Sequence, residues 1–177
     1  MRFLLLLFAV LTLCGCPRNT LGDRLFEITY PPVEFILPAG QAAPQVFVVA
    51  RNRMPTGFTA ALTDNGVDPN EVDQVGGIRA RIVSLSGEDF RELRRVELRF
   101  CSSAEPFCTV ADIMFSIDDL QGRRQQTVDI NPGLRNFRDL FLADDEVRME
   151  LVLFPERITS QSIEARLEWT IGAVGGL

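Results

Sequence analysis

The sequence predicts an all-β domain, an antiparallel β-sandwich carrying one or two short helical inserts. Three observations predict it. Apolar and polar residues alternate with period two, most clearly over 147–153 and 163–171. Such runs are short, about eight in all, and turn-forming Gly, Pro, Asp and Asn recur between them. Thirteen phenylalanines supply bulk for a core between two layers.

The chain opens on an address. Arg2 gives one positive charge, and residues 3–13 carry none, the n-region and h-region of a secretory signal. The run is too short to cross a bilayer, which takes roughly 20 apolar residues. Leu13-Cys14-Gly15-Cys16 follows. It resembles the lipobox of bacterial lipoproteins: an aliphatic residue, a tolerant position, a small residue, then the cysteine that is lipidated. Counting back from Cys14 instead would put bulky Leu13 at the small-residue position.

That resemblance implies a signal peptide at 1–15, which carries Cys14 away, and lipidation of Cys16 as the new N-terminus. Such proteins carry a diacylglycerol on sulfur and usually a third acyl chain, such as palmitate, on nitrogen. More than one chain makes anchoring stable, so the lipid bilayer is an expected partner through acylated Cys16. Pro17 stands where an Asp would signal inner-membrane retention, so the resemblance favours the outer membrane. Residues 16–22 read as a tether and 23–177 as a single domain, a length suited to one core.

Residues 24–30 (RLFEITY) form the first expected strand, 33–37 (VEFIL) the second and 45–51 (QVFVVAR) the third. Pro31 and Pro32 fit strand starts and edges, where no ladder donor is missed. The segment 54–77 departs from this pattern. Residues 56–63 suit a short helix packing Phe58, Ala61 and Leu62, with Gly66 as its stop. Asp68-Pro69-Asn70-Glu71 reads as an N-cap, a first-turn proline and a capping-box Glu. The oxygen-rich DNGVDPNEVD also raises a calcium loop, but Gly66 comes too early for the EF-hand pattern.

Strands resume at 78–85. SGEDFRELRR reads as a turn or short helix burying Phe90 and Leu93. Val96, Leu98 and Phe100 alternate with Glu97 and Arg99, a half-buried strand. A strand is expected at 110–117, a turn at 118–122 and a short strand at 127–130. Residues 132–142 suit a short helix with Leu134, Phe137 and Phe141 at helical spacing. The runs 147–153 and 163–171, joined by PERITSQS, suggest a terminal hairpin.

Cys101 and Cys108, in CSSAEPFC, form an even pair in a chain with an export signal, so a disulfide is expected. Directly opposed residues on antiparallel strands lie about 4.5–5.5 Å apart at Cα, within disulfide range. The expected bridge clasps the hairpin between the flanking strands. Its spacing is not that of a redox CxxC motif.

Composition removes several functions. The chain has no histidine, and all eighteen basic residues are arginines against twenty-four acids, a formal net charge of −6. Ser-His-Asp and Cys-His catalysis need histidine. Schiff-base chemistry and P-loop phosphate binding need lysine. No cysteine cluster has zinc spacing, and no metal or cofactor is expected. An acidic chain with dispersed arginines lacks the basic stripe that nucleic acid requires. Carboxylate-only hydrolysis passes this filter but needs two acids in a cleft.

Four clusters remain. Asp144-Asp145-Glu146 and Asp118-Asp119 each read as a solvated turn, with a divalent cation as the rival for the first. Arg91, Arg94, Arg95 and Arg99 are interleaved with Glu88, Asp89, Glu92 and Glu97, which favours mutual surface pairing over a phosphate-binding face. Trp169 and Tyr30 raise sugar stacking, but Trp169 falls on the apolar side of its run.

The strand pattern is similar to immunoglobulin-like and fibronectin-like sandwiches, as found in small bacterial lipoproteins. Trp169 does not match the immunoglobulin Cys-Trp-Cys arrangement. The resemblance implies a fold and an address and no activity; the function expected is that of a non-enzymatic structural or protein-interaction module at the cell envelope, with an envelope protein as partner. A glycan-binding module is the first alternative and would expose its aromatics. A carboxylate-dependent hydrolase is the second.

Overall fold

A computed structural model describes residues 22–120 and 122–176. The signal peptide at 1–15, Cys16 and the tether as far as residue 21 lie outside the described residues.

Among the described residues, nine strands and two short helices follow in order: β1 (Asp23–Thr29), β2 (Val33–Leu37), β3 (Phe47–Pro55), α1 (Phe58–Asn65), β4 (Gln74–Ser84), β5 (Leu93–Ser102), β6 (Ile113–Ile117), β7 (Thr127–Pro132), α2 (Arg138–Ala143), β8 (Glu146–Pro155) and β9 (Ile163–Gly175). Among the described residues no helix is long and apolar enough to cross a membrane.

All pairings are antiparallel. In the first layer β9 pairs β1 and β2 on one side and β4 on the other, and β4 pairs β7. The second layer runs β3–β8–β5–β6. β7 joins the layers: its residues 127–130 pair β4, while Asn131 and Pro132 pair β6. The result is one curled antiparallel sheet, closed along β7 and open between β1/β2 and β3.

With β1 and β2 taken as one broken strand, the layers read 1–9–4–7 and 3–8–5–6. This is a jelly-roll-like order, in which the first strand pairs the last. The expected immunoglobulin-like order is corrected here, because that fold places its first strand beside its second. The terminal hairpin is corrected with it, since β8 and β9 lie in different layers. Their connection is tied to the β2–β3 loop instead. Buried Thr159 donates its hydroxyl to the Pro38 carbonyl (2.8 Å) and accepts there from the Gln41 N–H (2.8 Å). Backbone bonds from Thr159 to Gln41 and from Gly40 to Thr159 complete the tie.

The core lies between the layers. Phe26, Phe35, Ile82, Leu167 and Ile171 face Val96, Leu98, Phe100, Met149 and Leu151. α1 and α2 close one end: Phe58 meets Phe26 at 5.3 Å and Phe141 at 5.8 Å between ring centroids. α1 stops at Gly66 in the left-handed region, as expected. The Asp68–Glu71 capping box forms around a short 3-10 turn. Phe90 and Leu93 are buried, and Leu93 opens β5.

Two further expectations shift. Residues 110–112 form a 3-10 turn with its own capping box, in which Thr109 and Asp112 exchange bonds, so β6 starts only at Ile113. α2 starts only at Arg138, which leaves Leu134 outside the helix and 99% exposed while Phe137 and Phe141 are buried.

Candidate functional site

The open seam forms a cleft of about 840 Å³. One wall is Tyr30 to Glu34, where Pro31 and Pro32 break the edge between β1 and β2. The other is Arg51 to Pro55 of β3, where the register with β8 shifts and Arg53 takes φ 51°. β9 contributes Trp169 and Arg166. Both walls are edges for the same reason: proline lacks the N–H for a further ladder, and the bulge turns β3 away.

Tyr30 stacks on Trp169 with ring centroids 5.2 Å apart and planes within 14°. Its hydroxyl donates to the Thr56 carbonyl at 2.7 Å. Both rings are buried, at 7% and 2% exposure, and burial pushes the Tyr30 hydroxyl pKa well above its ordinary value. The pair therefore forms core beside the cleft and offers no open stacking platform. Among the residues lining the cleft, Glu34 is the acid, set against Arg51, Arg53 and Arg166. Arg166 pairs with Glu168 at 2.7 Å. Arg51 and Arg53 are exposed and form no ion pair among the described residues.

The second feature is the loop between β5 and β6. Cys101 and Cys108 form the expected disulfide, with Cα atoms 5.5 Å apart. The bridge closes the connection itself: Cys101 lies in β5 opposite Arg148 of β8, and Cys108 precedes β6. Folding the loop back brings the Cys108 N–H to the Glu150 carboxylate (3.2 Å) and the Cys108 carbonyl to the Arg99 guanidinium (3.2 Å). Beneath it, Glu97 is 1% exposed and sits between Arg95 and Arg99. Glu150, at 4%, accepts from Arg148 at 2.6 Å. The Arg95 guanidinium stacks on Phe154 at 5.4 Å.

The arginine–glutamate interleaving thus resolves into ion pairs, partly below the surface. Arg91 pairs with Asp89 at 3.4 Å and Arg94 with Glu156 at 4.0 Å. Glu92 accepts from Ser160. The acidic runs also have partners. Asp144 accepts from the Ser102 hydroxyl (3.2 Å) and Asp145 from the Thr59 hydroxyl (2.8 Å). Asp118 meets Arg95 at 3.1 Å and Asp119 meets Arg123 at 3.6 Å. Among the described residues no group of three His, Cys, Asp or Glu could hold a metal ion.

Sequence reasoning missed the seam, because Arg51, Arg53 and Met54 carry no motif. It also missed the burial of Glu97 and Glu150. The prolines at 31, 32 and 55 were the signals available.

No protein-family model matches the chain, and no curated protein matches it. Solved structures of plant-virus proteins are distantly similar to it. That of Desmodium yellow mottle tymovirus has 12% identity over 92% of this chain and 95% of that one, with a TM-score of 0.31. The coat protein of tobacco streak virus has 13% identity over 92% and 93%, with a TM-score of 0.25. The structure of cocksfoot mottle virus has 12% identity over 92% and 95%, with a TM-score of 0.29. Likenesses this remote assign no activity, and the fold description rests on the chain's own strand order.

Proposed function

We propose that the chain is an envelope lipoprotein, anchored through acylated Cys16, whose β domain is a non-enzymatic protein-interaction module working through the seam. The observation that carries this reading is the pair Arg51 and Arg53, exposed and forming no ion pair among the described residues, on an edge strand of an acidic protein. β3 is paired on one side only, so its other side offers free backbone donors and acceptors over residues 47–51. An extended segment of a partner can add to such an edge, with main-chain bonds giving affinity and side-chain contacts giving specificity. Arginines at the cleft mouth select carboxylates, so the partner presents an acidic, extended segment.

The rivals meet specific observations. A glycan platform needs exposed rings, whereas Tyr30 and Trp169 are buried against each other. A carboxylate hydrolase needs two converging acids, whereas the cleft wall presents Glu34 beside three arginines.

The test is crosslinking and co-purification of the full chain from native envelopes, beside an Arg51→Glu, Arg53→Glu variant. A defined partner recovered with wild type and lost with the variant is expected. Equal recovery with the variant would remove the seam as the binding face.

A further inference from the structure

The described residues place their three most exposed large apolar side chains at one end of the sandwich: Leu134 at 99%, Val110 at 72% and Phe107 at 64%. The covalent and polar framework around them is fixed. The disulfide holds Phe107 beside Cys108. Thr109 and Asp112 cap the turn that carries Val110. Arg135, next to Leu134, binds the Ala111 carbonyl and meets Asp112 at 2.6 Å. All three side chains are held outward, toward solvent.

The same end receives the chain from its anchor. Asp23 starts β1 opposite Gly175, the last residue of β9. From there the surface is continuous: the Asp73 N–H donates to the Val174 carbonyl (2.9 Å), Asn136 donates to the Asp73 carbonyl (2.8 Å), and Arg135 directly precedes Asn136. Six residues lie between Cys16 and Asp23, so the span is about 25 Å at full stretch. An acylated Cys16 therefore keeps this end close to the bilayer, while the β8–β9 connection with exposed Ile158 lies at the opposite end.

We propose that Phe107, Val110 and Leu134 form a membrane-docking surface, seated in the interfacial region of the bilayer that holds the lipid anchor. The proposal rests on the anchoring reading above and adds an orientation to it. Aromatic and aliphatic side chains at this depth add to the hold of the acyl chains, and they fix which end of the domain faces away. The seam, running along the strands, stays open to a partner.

The test uses the lipidated full chain on vesicles of phosphatidylethanolamine and phosphatidylglycerol with brominated acyl chains. Trp169 is buried and gives a constant background. Leu134→Trp and Phe107→Trp each add a reporter at the docking end, and Ile158→Trp adds one at the far end. The expected result is a blue shift and roughly halved added emission for Leu134→Trp and Phe107→Trp, with no change for Ile158→Trp. Flotation of all variants with equal, unquenched emission at the three sites would overturn the docking surface and leave the anchor standing. Failure of the chain to float with vesicles would overturn the anchor, and the docking surface with it.

Discussion

The outer faces of the two layers are written alike and built differently. On the first layer, Glu168 of β9 sits between Arg81 of β4 and Arg166, all reaching water, with the Glu168 side chain 24% exposed. On the second, Glu97 sits between Arg95 and Arg99 with its side chain 1% exposed. Both glutamates alternate with core residues along their strands. The second face also carries the disulfide loop, whose Cys108 carbonyl accepts from Arg99, a partner of Glu97, and whose Cys108 N–H donates to Glu150. Alternation tells which side chains leave the core. It does not tell what waits on the other side.

Removing one charge from each face gives the widest contrast. Glu97→Ala leaves two arginines facing a buried gap and is expected to cost about 3–5 kcal/mol, read as a loss of unfolding free energy in urea. Glu168→Ala is expected to cost under about 1 kcal/mol. Equal losses would mean that the two faces are solvated alike.

Cutting the cover itself comes next. Cys101→Ala with Cys108→Ala is expected to cost about 2–3 kcal/mol through the loop constraint. It should also raise amide exchange at Cys108 and Thr109 and reduce the Glu97→Ala penalty when the two are combined. Simple additivity would show that the loop does not protect Glu97.

Which parts of this were open to sequence reading follows from the range of each interaction. The Asp68–Glu71 capping box and the Gly66 stop are set by residues within a few positions of each other, and both were legible. So was the disulfide, from an even pair of cysteines in a chain read as carrying an export signal. Pairing order was not legible, since Leu151 and Leu167 alternate equally well in one sheet or in two. The hairpin expected between 147–153 and 163–171 failed: Thr159 of the connecting PERITSQS bonds to Pro38 and Gln41, over a hundred residues earlier. Leu134 shared helical spacing with Phe137 and Phe141, but the backbone turns helical only at Arg138. The seam left the faintest trace, the prolines at 31, 32 and 55, because a cleft between edges belongs to no single segment.

Two half-buried carboxylates, one on each layer, carry a small acid dependence. Hydrogen bonding from Arg81 holds the Glu168 carboxyl below its usual range. Partial burial raises the Asp112 carboxyl, and the Thr109 N–H together with Arg135 outweighs it, so Asp112 also lies low. Groups lowered on folding stabilise above their ordinary pKa and lose that contribution as pH falls through the folded value. Glu168→Gln and Asp112→Asn are each expected to cost under about 1 kcal/mol near neutrality, with the difference closing in urea titrations as pH falls through the folded pKa. A deficit that persisted in strong acid would point to packing instead of charge.

The most direct test of the account is metabolic labelling with palmitate and membrane fractionation of wild type, Cys16→Ala and Cys14→Ala. The account predicts label and membrane residence for wild type and Cys14→Ala, with both lost in Cys16→Ala. Label absent from wild type, or Cys16→Ala equally labelled and membrane-bound, would contradict an anchored module.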